Sequence, residues 1–103
     1  MSDDGTLGGY VRIHQRPPAF GGTDGAAYSV STLVDDDPDA AGRFGAALLF
    51  VRWSEAGEKA VGHLETDYLS FGSTPDAALV PVLALTLAEV KAHLDRCVAR
   101  RGA

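Results

Sequence analysis

One ten-residue stretch constrains this chain more than any other: Phe44-Gly-Ala-Ala-Leu-Leu-Phe-Val-Arg-Trp53. It is apolar at odd and even positions alike until Arg52 interrupts it. Strand side chains alternate between the two faces of a sheet, so a run that is apolar in both phases needs cover on both faces. The stretch therefore predicts a central strand, the most buried of its sheet.

Neighbouring segments predict the rest of that sheet. Tyr10-Val-Arg-Ile-His-Gln-Arg16 alternates, with Val11 and Ile13 on one side and Tyr10, Arg12, His14 and Arg16 on the other. This period of two predicts a half-buried strand, stopped by Pro17-Pro18, which have no N–H for a ladder. Residues 21–25 read as a flexible connection, and 26–34 as a second strand with Tyr28, Val30, Thr32 and Val34 on one face. Asp35-Asp-Asp-Pro-Asp39 is a loop of mutually repelling carboxylates. Beyond the central strand, residues 54–58 close a hairpin with Gly57 at a positive-φ position, and 59–68 return as the fourth strand.

Gly72-Ser-Thr-Pro75 then opens a helix: Thr74 suits the N-cap, Pro75 the first helical position, and Asp76 the positive helix end. Leu79, Leu83, Leu87, Val90, Leu94, Cys97 and Val98 form one apolar stripe at helical spacing. Pro81 lacks a donor, and Thr86-Leu-Ala-Glu89 is a capping-box pattern, so the helix is expected to kink or split between Pro81 and Thr86. An edge strand over 78–83 is the alternative. The fold class expected is α+β, an antiparallel four-stranded meander covered by a C-terminal helical segment. Residues 1–103 read as a single domain, with 1–6 as a flexible tail.

The bulk composition excludes several classes of function. The chain has 103 residues, 46% hydrophobic and 22% charged, with a net charge of −5. Phosphate contact depends on a Lys/Arg surplus, so no nucleic-acid partner is expected. No apolar run is long enough for a bilayer, and Met1-Ser-Asp-Asp-Gly is acidic where a signal peptide is basic, so no membrane association is expected. One cysteine, Cys97, rules out an internal disulfide framework and fits a reducing cytosol. A cytoplasmic location is expected. Arginine outnumbers lysine seven to two and asparagine is absent, a pattern of coding bias of the kind a GC-rich bacterial genome produces.

Candidate chemistry is sparse. His63, Glu65 and Asp67 occupy alternate strand positions and share a face, roughly 7 Å apart. They suit either a metal-dependent or hydrolytic site, with His14 on a neighbouring strand, or a solvated sheet face paired with Lys59 or Arg52. The solvated face is the reading preferred here. His93 and Cys97 have the i, i+4 spacing of two zinc ligands, but no second pair offers itself, and Cys97 belongs to the apolar stripe. Neither metal nor cofactor is expected. Tyr10, Tyr28, Phe50 and Tyr68 would line a small-molecule pocket, although core packing explains them as well.

The apolar surplus says more. Val82 and Leu85 lie off the stripe, and a helix apolar nearly all round must be covered on two sides. With one sheet and one helical segment, a second chain is the natural cover, and Trp53, Val82 and Leu85 are the interface candidates. On this reading Leu85→Glu leaves a folded protein that dissociates. The competing source of cover is the N-terminal strand or residues 17–20 of the same chain.

The hairpin followed by Gly72-x-Thr74-Pro75-x-x-Ala78-Leu79 resembles the sheet-to-helix junction of HicB-type antitoxins, which have a truncated RNase H-like layout. The resemblance spans residues 26–98 in topology and about ten residues in motif. It implies a binding role without catalysis, with the sheet face or an edge contacting a small basic toxin. The Asp-Leu-Pro-Gly-Cys type segment common in that family has no counterpart at Asp67-Tyr-Leu-Ser-Phe71. The function expected is protein–protein interaction or regulation, with the chain's own copy or a small basic protein as partner. A small metal-dependent or hydrolytic enzyme using His63, Glu65 and Asp67 is the alternative.

Overall fold

The computed structural model describes residues 4–102. Its strands are β1 (Ala19–Gly21), β2 (Ala27–Val34), β3 (Phe44–Trp53), β4 (Ala60–Glu65) and β5 (Ser70–Gly72). Its helices are α1 (Leu7–His14), α2 (Pro75–Leu83) and α3 (Leu87–Gly102). The strands form one antiparallel sheet in the order β1-β2-β3-β4, with β5 following β4 along the same edge of β3. The α+β class and the central place of β3 are as expected.

Register assigns the faces. Val30 pairs with Phe50, and Phe50 with Leu64, so even-numbered residues of β2, β3 and β4 share one face. Tyr28, Val30, Ala46, Leu48 and Phe50 on that face are fully buried, against Leu7 of α1, Ala78 and Val82 of α2, and Val90, Leu94, Cys97 and Val98 of α3. All three helices therefore cover the same side. Burying a side chain the size of Leu48 or Phe50 contributes about 1.5–3 kcal/mol, so this layer supplies most of the driving force.

The helical segment splits where the sequence says it should. Thr74 Oγ1 accepts the Ala77 N–H at 3.0 Å and Pro75 takes the first helical position. A Cβ at Gly72 would stand 2.5 Å from the Ala78 nitrogen, so only glycine fits where strand meets helix. Thr86 and Glu89 form the reciprocal capping box: Thr86 N–H donates to Glu89 Oε1 at 2.9 Å and Glu89 N–H to Thr86 Oγ1 at 3.1 Å. The break at residues 84–86 resets the helical phase. On α2 the buried pair is Ala78 and Val82, while Leu83 is exposed, so the single continuous stripe does not carry across the break.

Residues 10–16 are not a strand. Residues 10–14 belong to α1, with Gln15 as its C-cap, and the N-cap Thr6 accepts the Gly9 N–H at 3.1 Å. Val11 and Ile13, whose alternation suggested a buried face, are 40% and 45% exposed. The helix docks by its first turn instead. Leu7 is buried, its N–H donates to Leu85 O at 2.9 Å, and Leu87 N–H donates to Gly5 O at 3.0 Å. The backbone at residues 5–7 is thus bonded to the α2–α3 junction; of the tail expected over 1–6, residues 1–3 lie outside the described residues. The strand the sheet does have in this region is the short β1, from the 17–21 segment.

The fourth strand is also shorter than expected. It stops at Glu65, and residues 66–69 bulge before β5 resumes the pairing. Thr66 fills the gap with its side chain, Oγ1 accepting the Leu48 N–H at 3.0 Å while its own N–H donates to Leu48 O. The hairpin before β4 turns at Gly57, φ 77°, as anticipated.

Candidate functional site

The polar row of β4 is not a converged site. His63 Nε2 lies 3.6 Å from Glu65 Oε1, with both side chains about half exposed or more. Asp67 falls in the bulge, out of phase with them; its side chain is 93% exposed and faces Arg100 of α3 at 3.5 Å. His14 is on α1, not on a neighbouring strand, and it bonds Asp4 at 3.3 Å and packs against Tyr10. Among the described residues no group of three or more His, Cys, Asp or Glu is placed to hold a metal ion. The acidic loop folds on itself: Asp39 Oδ1 accepts the N–H groups of Ala41 and Arg43, and Arg43 Nε reaches Oδ2 at 3.1 Å. These bonds to the Arg43 and Ala41 N–H groups hold the Asp39 carboxyl below its ordinary range.

His93 and Cys97 line a cleft of roughly 480 Å³ between the 66–69 bulge and α3, together with Arg96 and Arg100. The thiol is buried and donates to Glu65 O at 3.6 Å, so it serves packing. His93 Nδ1 lies 2.9 Å from an Arg96 nitrogen. Burial first, and then the Arg96 charge, push the His93 pKa down and favour the neutral ring. A thiol turned to a carbonyl and a histidine turned to an arginine do not make a nucleophile and its base.

At the opposite end of the sheet, Tyr28 OH donates to Asp24 Oδ2 at 2.7 Å, and Arg52 Nε lies 3.8 Å from the same oxygen. The hydroxyl bond holds the Asp24 carboxyl below its usual value, with help from the Ala26 N–H and Arg52 and against a smaller effect of burial. Burial, and then this bond, raise the Tyr28 pKa. The cluster ties the 22–25 turn to the core. It also explains how a tyrosine comes to be wholly buried among apolar residues.

The second face of the sheet is open. Odd-numbered residues of β3, Ala47, Leu49, Val51 and Trp53, point there beside Ser29, Ser31 and Leu33 of β2 and His63 and Glu65 of β4. One end is closed by the chain itself. Tyr68 folds over Gly45 so tightly that a Cβ there would meet the ring at 2.5 Å. Its hydroxyl donates to Asp35 Oδ1 at 2.6 Å, Phe71 packs edge-on against it, and Arg43 stacks on Phe71 at 4.4 Å. The bond to Asp35 raises the Tyr68 pKa. Beyond this lid Leu49, Val51 and Trp53 are only half-buried, and Leu33 is exposed. A groove of roughly 400 Å³ runs between Leu49, Val51, His63 and Glu65.

The interface candidates separate accordingly. Trp53 lies on the open face, its indole N–H donating to Ser29 Oγ at 2.9 Å. Val82 does not: it is 1% exposed within the chain's own core, so the assignment of Val82 to an interface is corrected. Leu85 is half-buried against that core, and its carbonyl holds α1. The exposed large apolar side chains of α2 are Val80 and Leu83. The Tyr68 lid escaped the sequence reading, although a glycine inside an apolar strand, Gly45, signals a close approach. Of the four aromatics suggested for a pocket, Tyr28 and Phe50 are core, and Tyr10 and Tyr68 lie apart from them.

Comparisons with known protein families, with curated proteins and with solved structures find no match to this chain. The motif from Gly72 to Leu79, on which the likeness to HicB-type antitoxins was drawn, has a complete local explanation in the Gly72 close approach and the Thr74 cap. No described helix is long and apolar enough to cross a membrane.

Proposed function

We propose that this chain is a protein–protein interaction module that pairs with a second copy of itself through the open face of its sheet. The observation that carries the reading is the second apolar phase of β3, Leu49, Val51 and Trp53, on the side no helix covers. Strands of 3, 8, 10 and 6 residues, about 4.8 Å apart and rising about 3.3 Å per residue, make a face on the order of 400 Å². That is about half of the roughly 800 Å² per partner of a standard interface. A two-fold contact would set the same apolar strip on both sides, and the small Ala27, Ser29 and Ser31 beside it allow two sheets to approach.

A small basic protein is the other occupant that the net charge of −5 would suit. The enzymatic alternative has less support, because His63 and Glu65 face solvent and Asp67 turns to Arg100. Sedimentation equilibrium of the wild type and of Leu33→Lys tests the proposal. Leu33 is exposed on this face, so the substitution spares the core. The wild type is expected to be a dimer and the variant a monomer with an unchanged thermal midpoint. A monomeric wild type at high concentration, or a variant that still dimerises, would overturn the reading.

A further inference from the structure

We infer that the cleft between the 66–69 bulge and α3 is a binding site for a small monoanionic carboxylate with an apolar body, its head held by Arg96 and His93. The site stands apart from the open sheet face and does not depend on the pairing proposed there.

The walls of the cleft are fixed by the chain's own bonds. Cys97 Sγ and Arg100 both donate to Glu65 O, at 3.6 and 3.4 Å, which ties α3 to the end of β4 where the bulge begins. Thr66, at the base of the bulge, is bonded to Leu48 through its N–H and its side chain. The space between bulge and helix is roughly 480 Å³, within the range of small-molecule sites. Leu69, Cys97 and Ala99 give it an apolar side. His93, Arg96 and Arg100 recur at i, i+3 and i+7, so one face of α3 gives the polar side.

Charge and donor count define the occupant. Asp67 lies 3.5 Å from Arg100 and offsets it. Arg96 has no such counterpart among the described residues, because both acids of α3 are engaged elsewhere, Glu89 by the Thr86 N–H and Asp95 by Lys91. The bond Arg96 does make goes to His93 Nδ1, at 2.9 Å. A guanidinium cannot accept, so Nδ1 is the acceptor and the ring proton sits on Nε2. Burial, and then the Arg96 charge, keep that ring neutral. The helix face therefore offers donors, with one positive charge left once Asp67 is counted against Arg100. A carboxylate brings acceptors and the single negative charge that balances it. A dianion would leave an excess negative charge beside Asp67. The apolar side, Leu69, Cys97 and Ala99, selects a carbon body behind the carboxylate.

The test is a titration of the full chain with hexanoate, 1-hexanol and hexyl phosphate at pH 8, followed by amide chemical shifts. Hexanoate should give saturable shifts at Thr66, Leu69, His93 and Ala99 and leave Leu48 and Phe50 unchanged. 1-Hexanol has the same apolar body without the charge and should bind at least about tenfold more weakly. Hexyl phosphate carries close to two charges at this pH and should also bind more weakly than hexanoate. Arg96 is exposed, so Arg96→Gln spares the core; it should weaken hexanoate about tenfold, as expected for the loss of a charge-assisted hydrogen bond. Asp67→Asn should tighten hexyl phosphate. No saturation at the cleft amides, 1-hexanol or hexyl phosphate binding as tightly as hexanoate, or an Arg96→Gln variant that binds as before would each overturn the proposal. An unchanged hexyl phosphate affinity in Asp67→Asn would overturn the charge count and the monoanion with it. Shifts confined to Leu49, Val51 and His63 would also overturn it, and place hexanoate on the open sheet face.

Discussion

Leu48 and Leu49 are adjacent on β3, carry the same side chain and face opposite sides of the sheet, so truncating each in turn measures how the two sides differ. Leu48 is wholly buried among Tyr28, Phe50, Val82 and Leu94 in the core. Leu48→Ala removes about three carbons at ~0.8 kcal/mol each and leaves a closed cavity, for about 3–5 kcal/mol in all. Leu49 is half-buried on the open face. Its truncation forfeits about half the transfer free energy, ~1 kcal/mol, and leaves no enclosed void. The two variants should therefore differ by about 2–4 kcal/mol, a large share of the ~5–15 kcal/mol that holds a domain of this size. Urea unfolding followed by circular dichroism at low protein concentration reads this difference directly. At higher concentration the cost of Leu49→Ala should grow, because an interface adds its own free energy to the folded state. The Leu48→Ala increment should stay constant. Equal costs at low concentration would refute the assignment of faces, and a Leu49→Ala cost independent of concentration would remove the open face as an interface.

Two further predictions test the ends of the fold. Gln15 has φ 53°, the one positive value among the described non-glycine residues, and closes α1 with its N–H on Val11 O. A left-handed side-chain-bearing residue costs roughly 1 kcal/mol, so Gln15→Gly should raise the thermal midpoint by about 4 °C. An unchanged midpoint in calorimetry would show that α1 does not end this way in solution. Acid should destabilise the protein in two steps. His93 is held below its ordinary 6.5, chiefly by burial, so the fold prefers the neutral ring; that stability is complete above 6.5 and is lost as pH falls below it. Asp24 is held below its ordinary 3.8, chiefly by the Tyr28 hydroxyl, so its contribution is complete above 3.8 and is lost in stronger acid. Urea midpoints measured from pH 8 downwards should lose the upper step in His93→Gln and the lower step in Asp24→Asn; if each variant keeps the step assigned to it, the assignment is wrong.

What the sequence made legible was local. The Thr74 cap, Pro75 and the Thr86/Glu89 box are interactions between residues three apart or fewer, and each stands as read. The apolar run of β3 and the phase of β2 were legible because one side chain per face suffices to state a preference. The α1 helix was not legible. Gly8, Gly9 and two β-branched residues make a poor helix, and what holds it is the burial of Leu7 and bonds to Leu85 and Leu87 at the far end of the chain. The 66–69 bulge was equally hidden. It moves Asp67 out of phase with His63 and Glu65, so a row of three on paper is a pair and an outlier in space.

Apolar surplus states that cover is required without naming its source, and here the two surpluses have different sources. Val82, read as an interface residue because α2 is apolar nearly all round, is covered by the chain itself: α1 arrives over the α2–α3 junction and Leu7 joins Val82 in one core. Leu85→Glu should accordingly destabilise the fold, since Leu85 packs on that core and holds the N–H of Leu7. β3 is the other case. Its even residues are covered by three helices, and its odd residues only at the Gly45 end, by the Tyr68 ring. From Leu49 to Trp53 the second phase has no cover among the described residues, and half-exposed Leu49, Val51 and Trp53 in register on one strand form a continuous strip, not scattered surface residues. The same strand thus displays both outcomes, and the boundary between them is where the Tyr68 lid stops.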